Sequence, residues 1–500
     1  MTASEGIPDA QDDRLVHSAF ALLVSNATGA ALGITFWAVA AHLFTPREVG
    51  YGVAEIAAMT ALASIAELNL AAVYPRFLYA AGARAPRTLG LGYGASVGLA
   101  VVAGILFLLF GGQHRYIAAG ILSGAVFVAS IVLWAIFTIE DAALVGLRAT
   151  FWVPVENTTF SIAKILFLPV FAAVGGVSGV FYSWTLPVIG CVLAVNYYIF
   201  GRLLPSHIAA LGGRSSVPTR RVVGRIIAGE YMGGLAQVAL MTVPALLIEA
   251  RLGASAAAYF QTPWLAGSSF DMLLWTIALS LISEASARPS VAEHTVKKAV
   301  RLGSLLLAPS LVVLALGAPL FLRIIGHAYS EHGTTLLRYL VLAVPCMAVN
   351  VLYITYARLS RRIRRVLLAQ VGVAVLVLLF TNLLIGPMGI AGAGAGFLAG
   401  QGIMAILFLP SVIGQFRRPG MSPAFAPGTE LVVQASDPLL PRGEPAERHA
   451  LTKVHLWSRL GHRRPPLLPD WQRTSRPPST AVTEPDGNIS GEQLGGDFRA

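Results

Sequence analysis

A lysine at position 164 stands about ten residues into an apolar run from 154 to 174, roughly 15 Å along a helix. Ionisable groups at such depth in hydrocarbon cost a few kcal/mol, so each one is a candidate for function. An ammonium there can attract the phosphates of an anionic substrate. It can equally serve as the structural partner of a carboxylate such as Asp271, midway through the run from 258 to 283. Arg76 and Arg148 stand at the ends of apolar runs, where they can receive an anionic head group or simply fix topology. Asp271, and Glu230 at the head of a face continued by Gln237, can carry a coupling proton or sodium ion, because desolvation penalises the charged form of a carboxylate. They can also be struts between helices. Glu55 and Glu67 lie nearer the ends of their run, where interfacial water is expected to solvate them. Arg338 is expected to snorkel to the outer interface.

The elements that must position these groups follow from composition. Of 500 residues, 55% are hydrophobic and 12% charged, and mean hydropathy is +0.69, a bilayer composition that excludes a soluble enzyme. Twelve runs are long enough for a helix to cross roughly 30 Å of hydrocarbon: 18–42, 50–72, 88–110, 117–139, 154–174, 177–199, 226–249, 258–283, 302–322, 334–357, 366–386 and 389–413. They are too long for barrel strands, and backbone in lipid must satisfy its own hydrogen bonds, so the expected class is an all-α polytopic membrane protein.

The net charge of +11 would suit a nucleic-acid partner only if the cations formed a groove. Instead they alternate with the connections. One side holds 21 Lys and Arg, including Arg84, Arg220, Lys297 and the cluster Arg358, Arg361, Arg362, Arg364 and Arg365; the other has only Arg47, Arg115, Arg251 and Arg323. The positive-inside rule then places both termini in the cytoplasm, with anionic membrane lipids as neighbours and no nucleic-acid partner. The start MTASEGIPDAQDDR is acidic where a signal peptide is basic, so residues 1–17 are expected to remain as a cytoplasmic segment. From Gln415 the apolar runs cease, and the remainder holds 12 of the 29 prolines; residues 414–500 are expected to be a disordered cytoplasmic tail.

Weak self-similarity divides the spans. AHLFTPREVGYG (Ala41–Gly52) resembles ARLGASAAAYF (Ala250–Phe260) at an offset of 209, and GVSGVF (Gly176–Phe181) resembles GIAGAG (Gly389–Gly394) at 213. The expected halves are 18–199 and 226–413, six spans each, joined by a basic linker over 200–225. An even number per half gives both the same orientation, related by a pseudo-two-fold along the membrane normal, the plan of transporters that rock one half on the other. Gly392, Gly396 and Gly400, four apart on the last span, are expected to admit close helix packing within their own half.

The first span with Asn26, Gly29 and Gly33, the turn LFTPREVGYG, the segment NLAAVYPRF ending in Arg76, and PMGIAGAGAGF from Pro387 resemble the Wzx-like polysaccharide flippases of the multidrug/oligosaccharidyl-lipid/polysaccharide exporter (MOP) superfamily. The likeness covers roughly 15–413, on motifs that are mostly structural. It implies flipping of a polyprenyl-linked oligosaccharide from the cytoplasmic to the outer leaflet of a bacterial plasma membrane, for surface polysaccharide synthesis. Under it, Lys164, Arg76 and Arg148 would handle the pyrophosphate head group and Asp271 and Glu230 the coupling ion. Other polysaccharide-assembly membrane proteins become candidate partners. A drug or cation antiporter and a peptidoglycan-precursor flippase of the same superfamily are the near alternatives. A membrane glycosyltransferase or polymerase is the distant one; it would need catalytic acids on a folded external region, and no HExxH, Walker-type loop or Ser/His/Asp arrangement stands in a plausible context. No cofactor and no enzymatic activity are expected. Cys191 and Cys346 are too few for a disulfide framework or a zinc site.

Overall fold

The computed structural model describes residues 28–111, 120–210, 220–287, 292–360 and 362–417, and all of the regular structure among them is helical. The expected N-terminal segment 1–17 and nearly all of the tail lie outside the described residues.

The first helix, α1 (Thr28–Leu43), is followed by α2 (Pro46–Ala66), α3 (Leu70–Phe77), α4 (Ala85–Phe110), α5 (Ile121–Gly146), α6 (Trp152–Val174) and α7 (Gly179–Tyr198). A π-helical turn, Ile199–Leu203, leads to the short α8 (Leu204–Ala210). The second half comprises α9 (Arg220–Leu252), α10 (Ala254–Ala287), α11 (Ala292–Ile325), α12 (His327–Leu359), α13 (Ile363–Met388) and α14 (Ile390–Arg417). Among the described residues, ten helical segments are long and apolar enough to cross a membrane. They do not include α1, which is shorter, or α10, which carries Gln261, Thr262, Ser268, Ser269 and Asp271. Large apolar side chains stand outward, among them Leu109, Phe110, Ile121, Leu122, Leu316 and Ile406. Such a surface is stable only with lipid as the solvent.

The turn LFTPREVGYG has a local explanation. Thr45 caps α2, its backbone N–H donating to Glu48 Oε2 at 2.8 Å while Glu48 N–H points back to Thr45 Oγ1, and Pro46 takes the first helical position. Two glycines then let neighbours close in: Gly50 lies against the backbone of Ala254 at the start of α10, and Gly52 under Val180 of α7. The second and eighth spans occupy equivalent places in the two halves. They meet at the Gly50–Ala254 crossing. The other repeated pair also matches, since Gly176 (φ 115°) and Gly389 (φ 60°) both turn in the left-handed region that favours glycine.

Several spans differ from their expected form, α5 running to Gly146 rather than 139 and α11 and α12 beginning ten and seven residues early, at Ala292 and His327. The run 50–72 is not one helix: Leu68 (φ 55°) and Asn69 (φ 57°) are left-handed, and α3 restarts at Leu70, with Glu67 accepting the Ala71 N–H at 3.1 Å. Asn is among the non-glycine residues most often found with this backbone, although Asn69 makes no side-chain cap bond here; Leu adopts it at a cost. The connection 200–225 contains α8, and α9 begins at Arg220, six residues before the expected span. The last helix runs to Arg417, past the expected limit at 413.

A buried core joins the halves, Phe36, Val53, Ile56 and Met59 on one side meeting Leu240, Phe260, Trp264 and Phe397 on the other. Across it α2 packs on α9 and α10, while α3 reaches α9. Within the second half, α12 and α13 both pack on α14, where Gly392, Gly396 and Gly400 press on the backbone of Leu384, Thr381 and Val377 of α13.

Candidate functional site

Lys164 sits in the middle of α6 and is 5% exposed. Its Nζ lies 3.7 Å from the ring centroid of Trp184 on α7, 4.8 Å from Phe160 one turn back on α6, and 5.2 Å from Phe36 on α1. The box is braced by further rings: Phe36 meets Trp184 edge-on at 5.2 Å, and Trp134 of α5 contacts both Trp184 and Phe160. Neither of the two uses read from the sequence is engaged here. No carboxylate of the described residues pairs with the ammonium, and Asp271, its suggested partner, instead accepts from Gln237 Nε2 at 2.9 Å. Cation–π contacts are worth roughly 0.5–2 kcal/mol each, against a penalty of several kcal/mol for burying an ammonium. Three such contacts, about 1.5–6 kcal/mol together, offset much of that cost but supply no neutralising charge.

Arg76 and Glu230, placed by the sequence in separate roles, are brought together. Arg76 Nη2 on α3 lies 3.2 Å from Glu230 Oε1 on α9, with both side chains 47% exposed. One residue on, the Tyr231 hydroxyl donates to the Ile65 carbonyl of α2 at 2.5 Å. These polar contacts bridge the halves at the end opposite the Gly50–Ala254 crossing. Arg358, at the end of α12, stacks at 5.2 Å on Trp275 and lies within electrostatic reach of the pair. Arg148 follows α5 with a left-handed backbone (φ 61°) and lays its guanidinium 4.0 Å over the Tyr79 ring. Each basic candidate thus already has a protein partner that a ligand would have to displace or share.

One expectation about another charged group changes, and one gains a contact. Glu55 is not solvated at an interface: it is 3% exposed and accepts a 2.7 Å hydrogen bond from Ser178 of α7. Its position near the start of α2 is covered because Gly52, one turn away, lets α7 approach. Arg338 directs its Nε to the Ala315 carbonyl of α11 at 3.2 Å, so it also ties two helices.

Sequence reasoning missed a polar cluster in the first half. Glu140 and Asp141 on α5, Glu156 and Asn157 on α6, Asn196 on α7 and Tyr93 on α4 come together. Asp141 accepts from Asn157 Nδ2 at 3.0 Å, the Tyr93 hydroxyl donates to Asn196 Oδ1 at 2.9 Å, and Asn196 Nδ2 donates to Glu140. The available signal was the adjacent acids Glu140 and Asp141 at the end of an apolar run. The fourth span was counted as ending at 139, and that boundary placed them in water. An apolar groove of about 920 Å³ between α4 and α5, lined by Val97, Val101, Leu108, Val128 and Leu133, stands apart from all these charges. Exposed Ile105, Leu122 and Leu109 flank its part of the surface, so it belongs with the lipid-facing exterior rather than with the chemistry.

No protein-family model matches the chain, and no curated protein matches it in sequence. Solved structures do match its fold. The outward-facing conformation of a multidrug resistance MATE family transporter of the MOP superfamily is 13% identical, covering 80% of this chain and 95% of its own, with a TM-score of 0.56. An inward-facing conformation of such a transporter is 16% identical, covering 79% and 96%, with a TM-score of 0.53. A MOP superfamily transporter from Pyrococcus furiosus, described as having a binding pocket of reverse polarity, is 13% identical, covering 80% and 95%, with a TM-score of 0.55. The chain is a multi-pass, all-helical protein with the MATE-like fold of two six-helix bundles.

Proposed function

We propose that this protein is a membrane transporter that works by alternating access and flips a polyprenyl-linked oligosaccharide from the cytoplasmic to the outer leaflet for surface polysaccharide synthesis. In this reading it lies in a bacterial plasma membrane with both termini in the cytoplasm. The observation that carries it is Lys164, a buried ammonium in mid-helix with no carboxylate partner among the described residues. An under-compensated cation is costly to keep. A pyrophosphate arriving in the low-dielectric interior supplies the missing charge, while the polyprenyl tail stays in lipid. Arg76 and Arg148 receive the head group at the inner end, and Glu230 then releases Arg76. Asp271, held by Gln237, is the candidate for ion coupling.

The test is surface-glycan output from strains carrying Lys164→Ala or Lys164→Arg at parental expression. The alanine variant is expected to lose output, and arginine, which keeps the charge, to retain part of it. Normal output from well-inserted Lys164→Ala removes the head-group role. Asp271→Asn is expected to flatten the response of transport to pH and sodium in reconstituted vesicles; an unchanged response takes the acid out of the cycle.

A second reading, a drug or cation antiporter, is favoured by a different observation. The first half buries Glu55, Glu140 and Glu156 and also holds an aromatic box, and carboxylates and ring faces are the groups that bind organic cations. Efflux of a quaternary ammonium dye by vesicles, with no effect of the strain on surface glycan, would decide for it.

A further inference from the structure

Two polar groups in one aromatic box are left without the partner their chemistry asks for. The Lys164 ammonium on α6 makes no ion pair with a carboxylate of the described residues and rests 3.7 Å over the ring of Trp184 on α7. The indole Nε1 of that same ring is buried and has no hydrogen-bond partner. An indole N–H can only donate, and a buried one ordinarily finds an acceptor. Trp264 on α10 shows the usual arrangement, donating to the Met241 carbonyl at 3.2 Å. Trp184 is not free to turn toward one, because its ring is clamped by Phe36 at 5.2 Å and Trp37 at 6.4 Å from α1, Trp134 at 5.8 Å from α5 and Phe160 at 5.6 Å from α6. An idle donor on a fixed ring, beneath an unpaired ammonium, is arranged before any ligand arrives, which spares part of the ordering cost of binding.

A water molecule would satisfy the indole but leave the charge of the ammonium unanswered. A phosphoryl group answers both, since it brings negative charge and several acceptor oxygens. One oxygen can lie at the indole N–H in the plane of the ring and another beside the ammonium above it. We propose that the Trp184 indole N–H is a binding donor for the phosphoryl head group, acting together with Lys164. This role rests on the head-group reading of Lys164 and adds the residue that gives it direction. An ammonium is a point charge that attracts any anion, whereas an indole N–H held by four rings accepts only an oxygen placed at its edge. Charge comes from one residue and orientation from the other.

The test uses purified full-length protein in detergent at constant chloride, with farnesyl pyrophosphate as the probe, farnesol as its uncharged counterpart and inorganic pyrophosphate as the free anion. Affinity is read by calorimetry. The hydrogen bond is read from the indole N–H signal in protein carrying ¹⁵N-tryptophan, assigned by its loss in Trp184→Phe. The parent is expected to bind farnesyl pyrophosphate more tightly than either control, with the Trp184 indole proton moving downfield, and Lys164→Ala to lose that binding. Trp184→Phe is expected to weaken it by roughly tenfold to a hundredfold, the range for a hydrogen bond to a charged group. Benzothienylalanine in place of Trp184 keeps the two-ring face and exchanges only the N–H for sulfur; it should weaken binding as much, yet melt with the parent when no ligand is present, because the lost N–H bonds to nothing there. If Lys164→Ala abolishes binding while both replacements of Trp184 bind like the parent and the indole signal stays still, the Trp184 role is overturned and the head-group reading stands. A parent that binds farnesyl pyrophosphate no better than farnesol overturns both, and equal affinity for inorganic pyrophosphate overturns the lipid-linked occupant.

Discussion

Reversing either charge of the Arg76–Glu230 pair should open the end of the contact between the halves that is inner on the expected topology, and the expected size follows from its geometry. The atoms are 3.2 Å apart, but each side chain is 47% exposed, so water and salt screen the attraction. Such pairs contribute about 0.2–1 kcal/mol, or roughly 1.4-fold to 5-fold in the ratio of closed to open inner ends. Arg358 makes the two reversals unequal. Arg76→Glu leaves two acids with one nearby cation, whereas Glu230→Arg gathers three cations with no acid, so the second should shift the ratio further. Swapping both charges restores one attractive pair and should recover most of the loss. Spin labels on the inner ends of α3 and α9, measured in lipid nanodiscs, report the ratio directly. The effect should shrink between about 0.1 M and 1 M salt, as the screening length falls from about 10 Å to about 3 Å. A swap no better than the worse single reversal, or shifts indifferent to salt, would refute the claim that this pair fastens the halves. Tyr231→Phe is the control, since it removes the hydrogen bond to Ile65 but no charge.

Two further predictions concern helix packing in the second half. Gly396→Ala places a methyl against the Thr381 backbone of α13, which cannot rotate away, and should destabilise the purified protein by about 1–3 kcal/mol; Gly386→Ala meets open space and should not. Equal melting temperatures for the two would refute the packing account. Asn350 on α12, 3% exposed, donates to both the side chain (2.7 Å) and the backbone carbonyl (3.1 Å) of Gln401 on α14. Asn350→Leu alone should cost about 1–3 kcal/mol by stranding Gln401, and adding Gln401→Leu should return much of it, as a double-mutant cycle in thermal unfolding would show.

How much of the site was legible differs residue by residue. Lys164 was found from sequence because depth in an apolar run depends on local spacing alone. Its aromatic box was not, since Phe36, Phe160 and Trp184 come from three helices and carry no mark of proximity. Glu140 and Asp141 were passed over because a hydropathy boundary drawn at 139, seven residues short of the end of α5, turned packed acids into solvated ones. Glu55 was misjudged for a related reason: position along a span says nothing about what a neighbouring helix covers, and Ser178 lies 123 residues away.

Helical class, bilayer residence and the likeness of the two turns could all be read from the chain itself, because lipid forces the backbone to bond within each segment and so makes these properties local. The break at Leu68 and Asn69, the meeting of Arg76 with Glu230 and the facing of Glu140 by Glu156 were decided only in three dimensions. Each depends on which helices pack together, and that choice is made by the fit of side chains distant in the chain, such as Gly50 beneath Ala254, rather than by any local preference.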